Sequence, residues 1–279
     1  MSMQKVSLYV VPTPIGNMSD MPQRGAQVLA EVDFVCAEDT RKSGLLLKRL
    51  GIKKPMLSYH EHNAAVRGPQ IVERLAGGQS CALVSDAGMP AVSDPGQLLV
   101  RQCLDAGLRV SAIPGPCAAV TALAMSGMPS RRFCFEGFLG SSASERRARL
   151  RELADEPRTL IIYEAPHRLR ACLEDMLQIF SDRQISVVRE ISKIYEQVVP
   201  CTLSDAVSFY EHNEPRGEFV LVVQGCRAKA PAADSEQLTE AYRECLERGM
   251  TRSEAAKALA SRYGLNRRDV YDMFKDEAF

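Results

Sequence analysis

Apolar positions in the first 115 residues recur in two rhythms. Short runs at residues 6–11, 32–37, 80–84 and 108–113 are rich in β-branched side chains and bounded by Gly, Pro or Asp, which predicts buried strands. Between them, residues 23–30, 43–50, 64–75 and 97–106 carry apolar side chains at helical spacing. The alternation of strand and helix predicts an α/β sheet with helices on its faces. Asp94 followed by Pro95 supplies an N-cap and a first-turn residue for the last of these helices.

From residue 116 to 125 a helix of small residues, containing AAVTALAM, crosses to a second unit. Residues 133–138, 159–163, 185–189, 198–203 and 218–223 follow as strands with only two or three helices among them, a mixed or α+β pattern. Thr202 and Asp205 stand at capping-box spacing before a helix at 206–212. Beyond Val223, Gly225, Ala228, Lys229, Ala230, Pro231, Ala232 and Ala233 read as a linker. Three short helices complete the chain: 235–248 ending at Gly249, 253–263 with a Thr251/Glu254 capping box and an end at Gly264, and 267–274. Tight Gly-containing turns give this segment the look of a helix-turn-helix module. A helical appendage packed on the body or on a dimer partner fits as well, since residues 251–279 hold six basic and five acidic side chains. The expected organisation is an N-terminal α/β domain (1–117), a second α/β domain (118–226), a linker (227–234) and a C-terminal helical module (235–279).

Length and composition narrow the function. At 279 residues, with 46% hydrophobic and 25% charged residues, the chain is ordinary globular material for about two domains. No apolar run approaches the ~20 residues of a membrane span, and residues 1–10 contain no secretory h-region, so a soluble, unexported protein without membrane partners is expected. Lys plus Arg and Asp plus Glu balance at 35 each, which means a polyanion must be met by local patches. The nine cysteines form no CxxC pair and fit reduced thiols in a cytosolic protein; His60 and His62 lack metal-ligand spacing, so no metal is expected.

Three strand ends run into Gly/Pro-rich loops: PTPIGN at 12–17, SDAGMP at 85–90 and PGPC at 114–117. In open α/β sheets ligands bind beyond the carboxyl ends of the strands, and these loops are the leading site. Each is also explicable as a tight turn; three in succession, one with a carboxylate, favour a site. There is no GxGxxG or GxxxxGK, so a neutral or cationic ligand fits better than a dinucleotide or triphosphate. Gly88 and Gly115 would let backbone approach a ligand, and Asp86 offers a carboxylate acceptor.

The ordered set LYVVPTPIGN, AEDTRKS, SDAGMPAVSDPG, IPGPCA and YEAPHRL resembles the tetrapyrrole methylase superfamily over about residues 5–225. The resemblance implies a cleft between two α/β domains that takes S-adenosylmethionine. The co-occurrence of EDTR with SDAGMP and YEAPHR is similar to the branch that methylates a cytidine ribose 2′-oxygen in the decoding region of small-subunit ribosomal RNA. It implies Pro14, Ile15 and Gly16 at the cofactor from the first loop, Asp86 and Met89 from the second, Cys117 and Ala118 from the third, and Tyr163 closing the cleft. Pro12 and Pro14 stand where the wider superfamily has glycines. Ribosomal RNA or the assembled small subunit is the implied partner, and a homodimer in the cytoplasm is expected.

Other residues are candidates for chemistry or RNA. Arg41 has the fork for a phosphate, Glu38 or Asp39 suits a hydroxyl or a partner arginine, and Asp39 or Thr40 caps the following helix. His60, His62 and Asn63 lie in a polar loop that can touch RNA or relay a proton, with a surface role as the alternative. His167 and Arg168 follow a strand end, with Pro166 starting the next helix. Glu190 and Lys193 lie at another strand end, where surface pairing is the plain reading and Lys193 can clamp phosphate or, with a lowered pKa, assist deprotonation. Arg146, Arg147 and Arg149 form the strongest local basic patch, as an RNA track or a solvated helix face. The base remains open among Glu38, Lys193, Glu190 and the histidines. A porphyrin-type small-molecule methylase leaves the tail and arginines unexplained; a noncatalytic RNA-binding assembly protein leaves the intact SDAGMP and PGPC loops unexplained.

Overall fold

The computed structural model describes residues 6–226, 235–263, 265 and 267–275. The first sheet is built from β1 (Leu8–Val10), β2 (Phe34–Ala37), β3 (Met56–Ser58), β4 (Cys81–Val84) and β5 (Val110–Ala112). All its pairings are parallel, in the order β3-β2-β4-β1-β5. Parallel strands need crossovers, here α1 (Gln23–Glu31), α2 (Thr40–Arg49), α3 (Ala64–Ala76) and α4 (Gln97–Asp105). β2 and β4 are buried at every position because helices cover both faces. Alternate residues of β2 face opposite ways: Phe34 and Cys36 join Ile71 and Leu75 of α3 and Leu99 of α4. Val35 and Ala37 join Val28 and Leu29 of α1 and Leu47 of α2.

The second sheet combines β6 (Phe133–Phe138), β7 (Thr159–Glu164), β8 (Gln184–Arg189), β9 (Gln197–Thr202) and β10 (Phe219–Val223) in the order β6-β7-β10-β8-β9. β6 and β7 are parallel and the remaining pairs antiparallel. On one face α5 (Ala118–Ser126) buries Ala119, Ala122 and Leu123 against Ile161, Val188, Val220 and Val222. Cys117 precedes it and Gly127, at φ +70°, ends it in the left-handed conformation. α6 (Ala143–Glu152), α7 (Pro166–Phe180) and α8 (Leu203–His212) complete this half. The Thr202/Asp205 capping box is present in both directions, but α8 begins at Leu203 rather than at 206.

A separate unit contains α9 (Ser235–Glu247), α10 (Arg252–Tyr263) and α11 (Arg267–Phe274). Their core is Tyr242, Ala255, Ala256, Leu259 and Val270, with Phe274 stacked on Tyr242 at 4.4 Å. The Thr251/Glu254 box forms, with the Thr251 N–H donating to the Glu254 carboxylate at 2.9 Å. The linker expected at 227–234 and the stop expected at Gly264 fall outside the described residues.

Two local expectations fail for identifiable reasons. β3 has no counterpart in the sequence reading: it is a three-residue, half-buried strand at the sheet edge, too short to show a period. Asp94 does not cap α4, whose N-cap is Gly96 at φ +148°. Its carboxylate turns back to the Ser85 side chain, which holds it at the strand ends instead.

Candidate active site

Two loops of the first sheet are clamped to each other before any ligand is considered. Thr13 and Gly88 exchange backbone hydrogen bonds of 2.9 and 3.0 Å, and the Thr13 hydroxyl donates to the Ser85 carbonyl at 3.3 Å. Gly88 sits at φ +81°, which a side chain would strain. Gly115 serves packing: a Cβ there would lie 2.6 Å from Pro12 and 2.7 Å from Pro22. Continuing from Gly88, Ala91 (φ +66°) and Ser93 (φ +60°) are non-glycine residues in the left-handed region. Such strain gathers at ligand clamps, where the surroundings over-determine the backbone.

Between these loops and the second sheet lies a cleft of about 480 Å³. From the first side come Ile15, Glu38, Asp86–Met89 and Val92–Asp94. Cys117 and Ala118 contribute from the start of α5, and Phe138, Tyr163–His167 and Glu218–Val220 from the second sheet. The volume lies within the usual range for small-molecule sites, ~300–1,000 Å³. Its walls divide into an apolar part (Ile15, Met89, Val92, Phe138, Val220) and an acidic part (Glu38, Asp86, Asp94), the chemistry expected for a ligand with a flat apolar body and a positive charge. Among the described residues no group of three or more His, Cys, Asp or Glu is arranged to hold a metal.

The acidic wall is internally ordered. Asp86 accepts from the Asp39 N–H at 3.2 Å and from Lys42 Nζ at 2.6 Å, while its own N–H donates to Glu38 at 3.3 Å. Burial, then the neighbouring Glu38 charge, pushes the Asp94 carboxyl up to about 6. Opposite, the Tyr163 hydroxyl accepts from the Ala119 N–H at 3.0 Å, and its ring meets Phe135 and Phe138 edge-on at 5.0 and 5.5 Å. Burial, followed by Cys117, raises that phenol to about 12. Tyr163 is therefore a fixed, neutral wall.

Of the residues expected at a cofactor, Ile15, Asp86, Gly88, Met89, Cys117, Ala118 and Tyr163 converge on this cleft. Pro14 and Gly16 line a neighbouring pocket of about 300 Å³ on the other side of the first loop, along with Ile15 and Asp86. Glu38 and His167 also line the main cleft. Arg41 does not: it is 89% exposed and pairs with Asp39, the N-cap of α2, through Nε and Nη2 at 3.1 and 2.7 Å. Hydrogen bonds from Arg41 hold the Asp39 carboxyl well below its ordinary range.

Several candidates are placed differently from the reading of the sequence. Lys193 Nζ lies 2.8 Å from both Glu190 and Glu218. Burial disfavours its charge, but its hydrogen bonds to Glu190 and Glu218 outweigh that and raise its pKa, the opposite of what a base requires. Glu190 is lowered in turn, because Lys193 and the Glu218 N–H overcome its burial. The loop they share reaches the first sheet's territory, where the Ser192 hydroxyl donates to Asp20 and a Cβ at Gly16 would collide with Lys193. Arg146 is only 6% exposed and is paired with Asp175 at 2.7 Å, so it is a core residue of the α6–α7 contact rather than part of a solvent-facing patch. Arg147 shares Asp175, and Arg149 is divided between Glu136 and Glu152. Arg168 donates to the carbonyls of Leu139 and Gly140 at 2.8 and 2.9 Å and lies 3.2 Å from the buried Glu164, bracing the loop after β6. His60 and Asn63 bond to each other in a 3-10 turn (Glu61–Asn63), with His62 beside them; none lines the cleft. Lys42, Asp94, Phe138 and Glu218 were missed as site residues. Lys42 and Asp94 stand inside the quoted AEDTRKS and SDAGMPAVSDPG, but only the fold turns them toward Asp86 and the cleft.

Two facing sheets with a cleft at the carboxyl ends of the parallel strands define a methylase architecture, and the tetrapyrrole (corrin/porphyrin) methylases match residues 7–207; the chain belongs to this family of S-adenosylmethionine-dependent methyltransferases. Among solved structures it superposes on the uroporphyrin-III-C-methyltransferase from Thermus thermophilus (TM-score 0.54, 20% identity, 78% of this chain and 94% of that one). It also superposes on the methyltransferase CobJ (TM-score 0.59, 19% identity, 80% and 95%), which together show the fold. Relatives in sequence include proteins named ribosomal RNA small subunit methyltransferase I. The chain is 46% identical to that of Xylella fastidiosa over 270 residues (95% of this chain, 97% of the relative). It is 45% identical to that of Synechocystis over 269 residues (95% and 96%), and 44% identical to that of Haemophilus influenzae over 269 residues (95% and 94%).

Proposed function

We propose that this methyltransferase acts on small-subunit ribosomal RNA, transferring the methyl group to the ribose 2′-oxygen of a cytidine in the decoding region. Its relatives' shared name supports the RNA substrate, and the family resemblance carried by EDTR and YEAPHR supports the nucleotide and the oxygen. The observation that carries the reading is the single cleft in which Ile15, Asp86, Gly88, Met89, Cys117, Ala118 and Tyr163 come together. In this reading the apolar wall holds the adenosine and the carboxylates face the positive charges. In the same reading the chain divides into two domains at 117/118, which is supported by the packing of α5 on the second sheet.

When bound, S-adenosylmethionine supplies an electrophilic methyl group on a sulfonium. The chain's own contribution is orientation and exclusion of water: in-line transfer to oxygen gains most from holding the acceptor in attack geometry. Tyr163, fixed by Ala119, and Phe138 supply aromatic wall to the cleft. Glu38 and Asp94 are its candidate acceptors for the hydroxyl proton, and Lys193 is a charged clamp at its edge, through Glu218. Arg41 serves as a phosphate contact outside the cleft.

Incubation with labelled S-adenosylmethionine and unmodified small-subunit particles, followed by nucleoside analysis, tests the function. Label in 2′-O-methylcytidine is expected. Label on a base overturns the oxygen assignment, and label only on a tetrapyrrole overturns the RNA substrate. A cytoplasmic homodimer belongs to the same reading. Sedimentation at the mass of two chains supports it and at one chain removes it.

A further inference from the structure

The pocket outside the first loop is separated from the cofactor cleft by one loop's thickness, since Ile15 and Asp86 line both. Its outer wall is α2, contributing Lys42, Leu45 and Arg49. At spacings of three and seven these residues share one helical face. Leu45 is 52% exposed, an apolar contact beside two cations. The helix holds four cations and no acidic residue. Arg41 and Lys42 are answered by Asp39 and Asp86, whereas the exposed Lys48 and Arg49 make no ion pair among the described residues, nor does the exposed Lys53 just beyond. On a chain of zero net charge this is uncompensated positive charge beside the loop that walls the cleft.

We infer that this pocket, continued along the Leu45–Arg49 face of α2, receives the RNA strand carrying the target nucleotide, with Lys48 and Arg49 on its phosphates. The inference rests on the RNA substrate proposed above. Leu45 packs against a ribose or base, a sequence-tolerant contact, and the two cations supply charge that positions the strand without reading it. Lys42, held by Asp86, links this track to the acidic wall of the cofactor cleft. The face is suited to a single-stranded segment, whose unstacked bases are free to pack on the exposed Leu45.

Two variants at exposed positions test the track with unmodified small-subunit particles as probe. Lys48→Ala combined with Arg49→Ala should lower the slope of log affinity against log salt by about two units, one per lost phosphate contact. RNA affinity should fall about tenfold at moderate salt. Leu45→Glu, which places an anion in the pocket, should raise KM for the particles several-fold. Both should bind S-adenosylmethionine within twofold of the parent by calorimetry and keep its circular dichroism. If the parent methylates the particles and both variants keep its salt slope and KM, the track is wrong and the function stands. If the slope responds only to Arg147→Ala with Arg149→Ala, RNA runs over α6 and the inference falls. A parent that neither binds nor methylates ribosomal RNA removes the functional reading, and the track with it.

Discussion

α2 and α6 are both ten-residue helices with four cations, and they use them in opposite ways. Around α6 three carboxylates answer three of the four arginines: Asp175 from α7 takes Arg146 and Arg147, while Glu136 from β6 and Glu152 on the helix take Arg149. One arginine, Arg146, is buried in the bargain. Around α2, among the described residues, only Asp39 and Asp86 answer four cations, and both stand at its amino-terminal end. Charge paired inside the fold is structure; charge left over is what the molecule can offer a ligand. The same distinction holds within the cleft, where Glu38, Asp86 and Asp94 converge and Lys42 is the only side chain in an ion pair with any of them among the described residues.

Removing Asp175 should break this contrast most severely. Asp175→Ala leaves Arg146 buried and unpaired, which costs about 3–5 kcal/mol, and the loss appears as a lowered denaturation midpoint. Replacing both partners with apolar residues of similar volume should cost far less. A full-sized loss in the double variant would show that the site needs charge, not packing.

Asp86→Ala acts on function instead. A lost charge-assisted contact is worth roughly 1.5–3 kcal/mol, so S-adenosylmethionine should bind about 10–100-fold more weakly while the midpoint changes little. Calorimetric titration decides it, and unchanged affinity in a folded variant takes Asp86 out of the site.

Asp94 gives a smaller, pH-dependent effect. Its folded pKa of about 6 exceeds the ordinary value of 3.8, so between these values the folded state binds more protons than the unfolded. Its contribution to stability therefore falls as pH rises through that window and is flat above it. Asp94→Asn removes this term, and its midpoint relative to the parent should climb from pH 4 to 6.5 and then level off. A constant offset would mean that the carboxyl is solvated. The smallest effect is expected for Lys193→Ala: because its pKa is raised, not lowered, the pH profile of single-turnover methyl transfer should match the parent in shape even where the rate falls. A shifted profile would restore Lys193 as base.

Four of the five strands of the first sheet, and its helices, were legible because burial on both faces imposes apolar runs and covering helices impose a 3.6-residue period; β2 and β4 are buried at every position, whereas the half-buried edge strand β3 was not read. The three Gly/Pro loops were legible through residue types that only special backbone conformations demand, as Gly88 shows. The capping boxes at Thr202 and Thr251 were local enough to read directly. Partnership between distant residues was not. Nothing near Arg146 in the chain indicates Asp175, 29 positions away, or that the helix turns that arginine inward. Lys42 and Asp86 are 44 positions apart, and Asp94 beside Pro95 has every local mark of a helix cap. A sequence fixes local backbone preference and the period of burial. The electrostatic state of a side chain depends on what the fold brings within a few ångströms of it, and so the tertiary structure decided which charges are spent on the fold and which face the ligand.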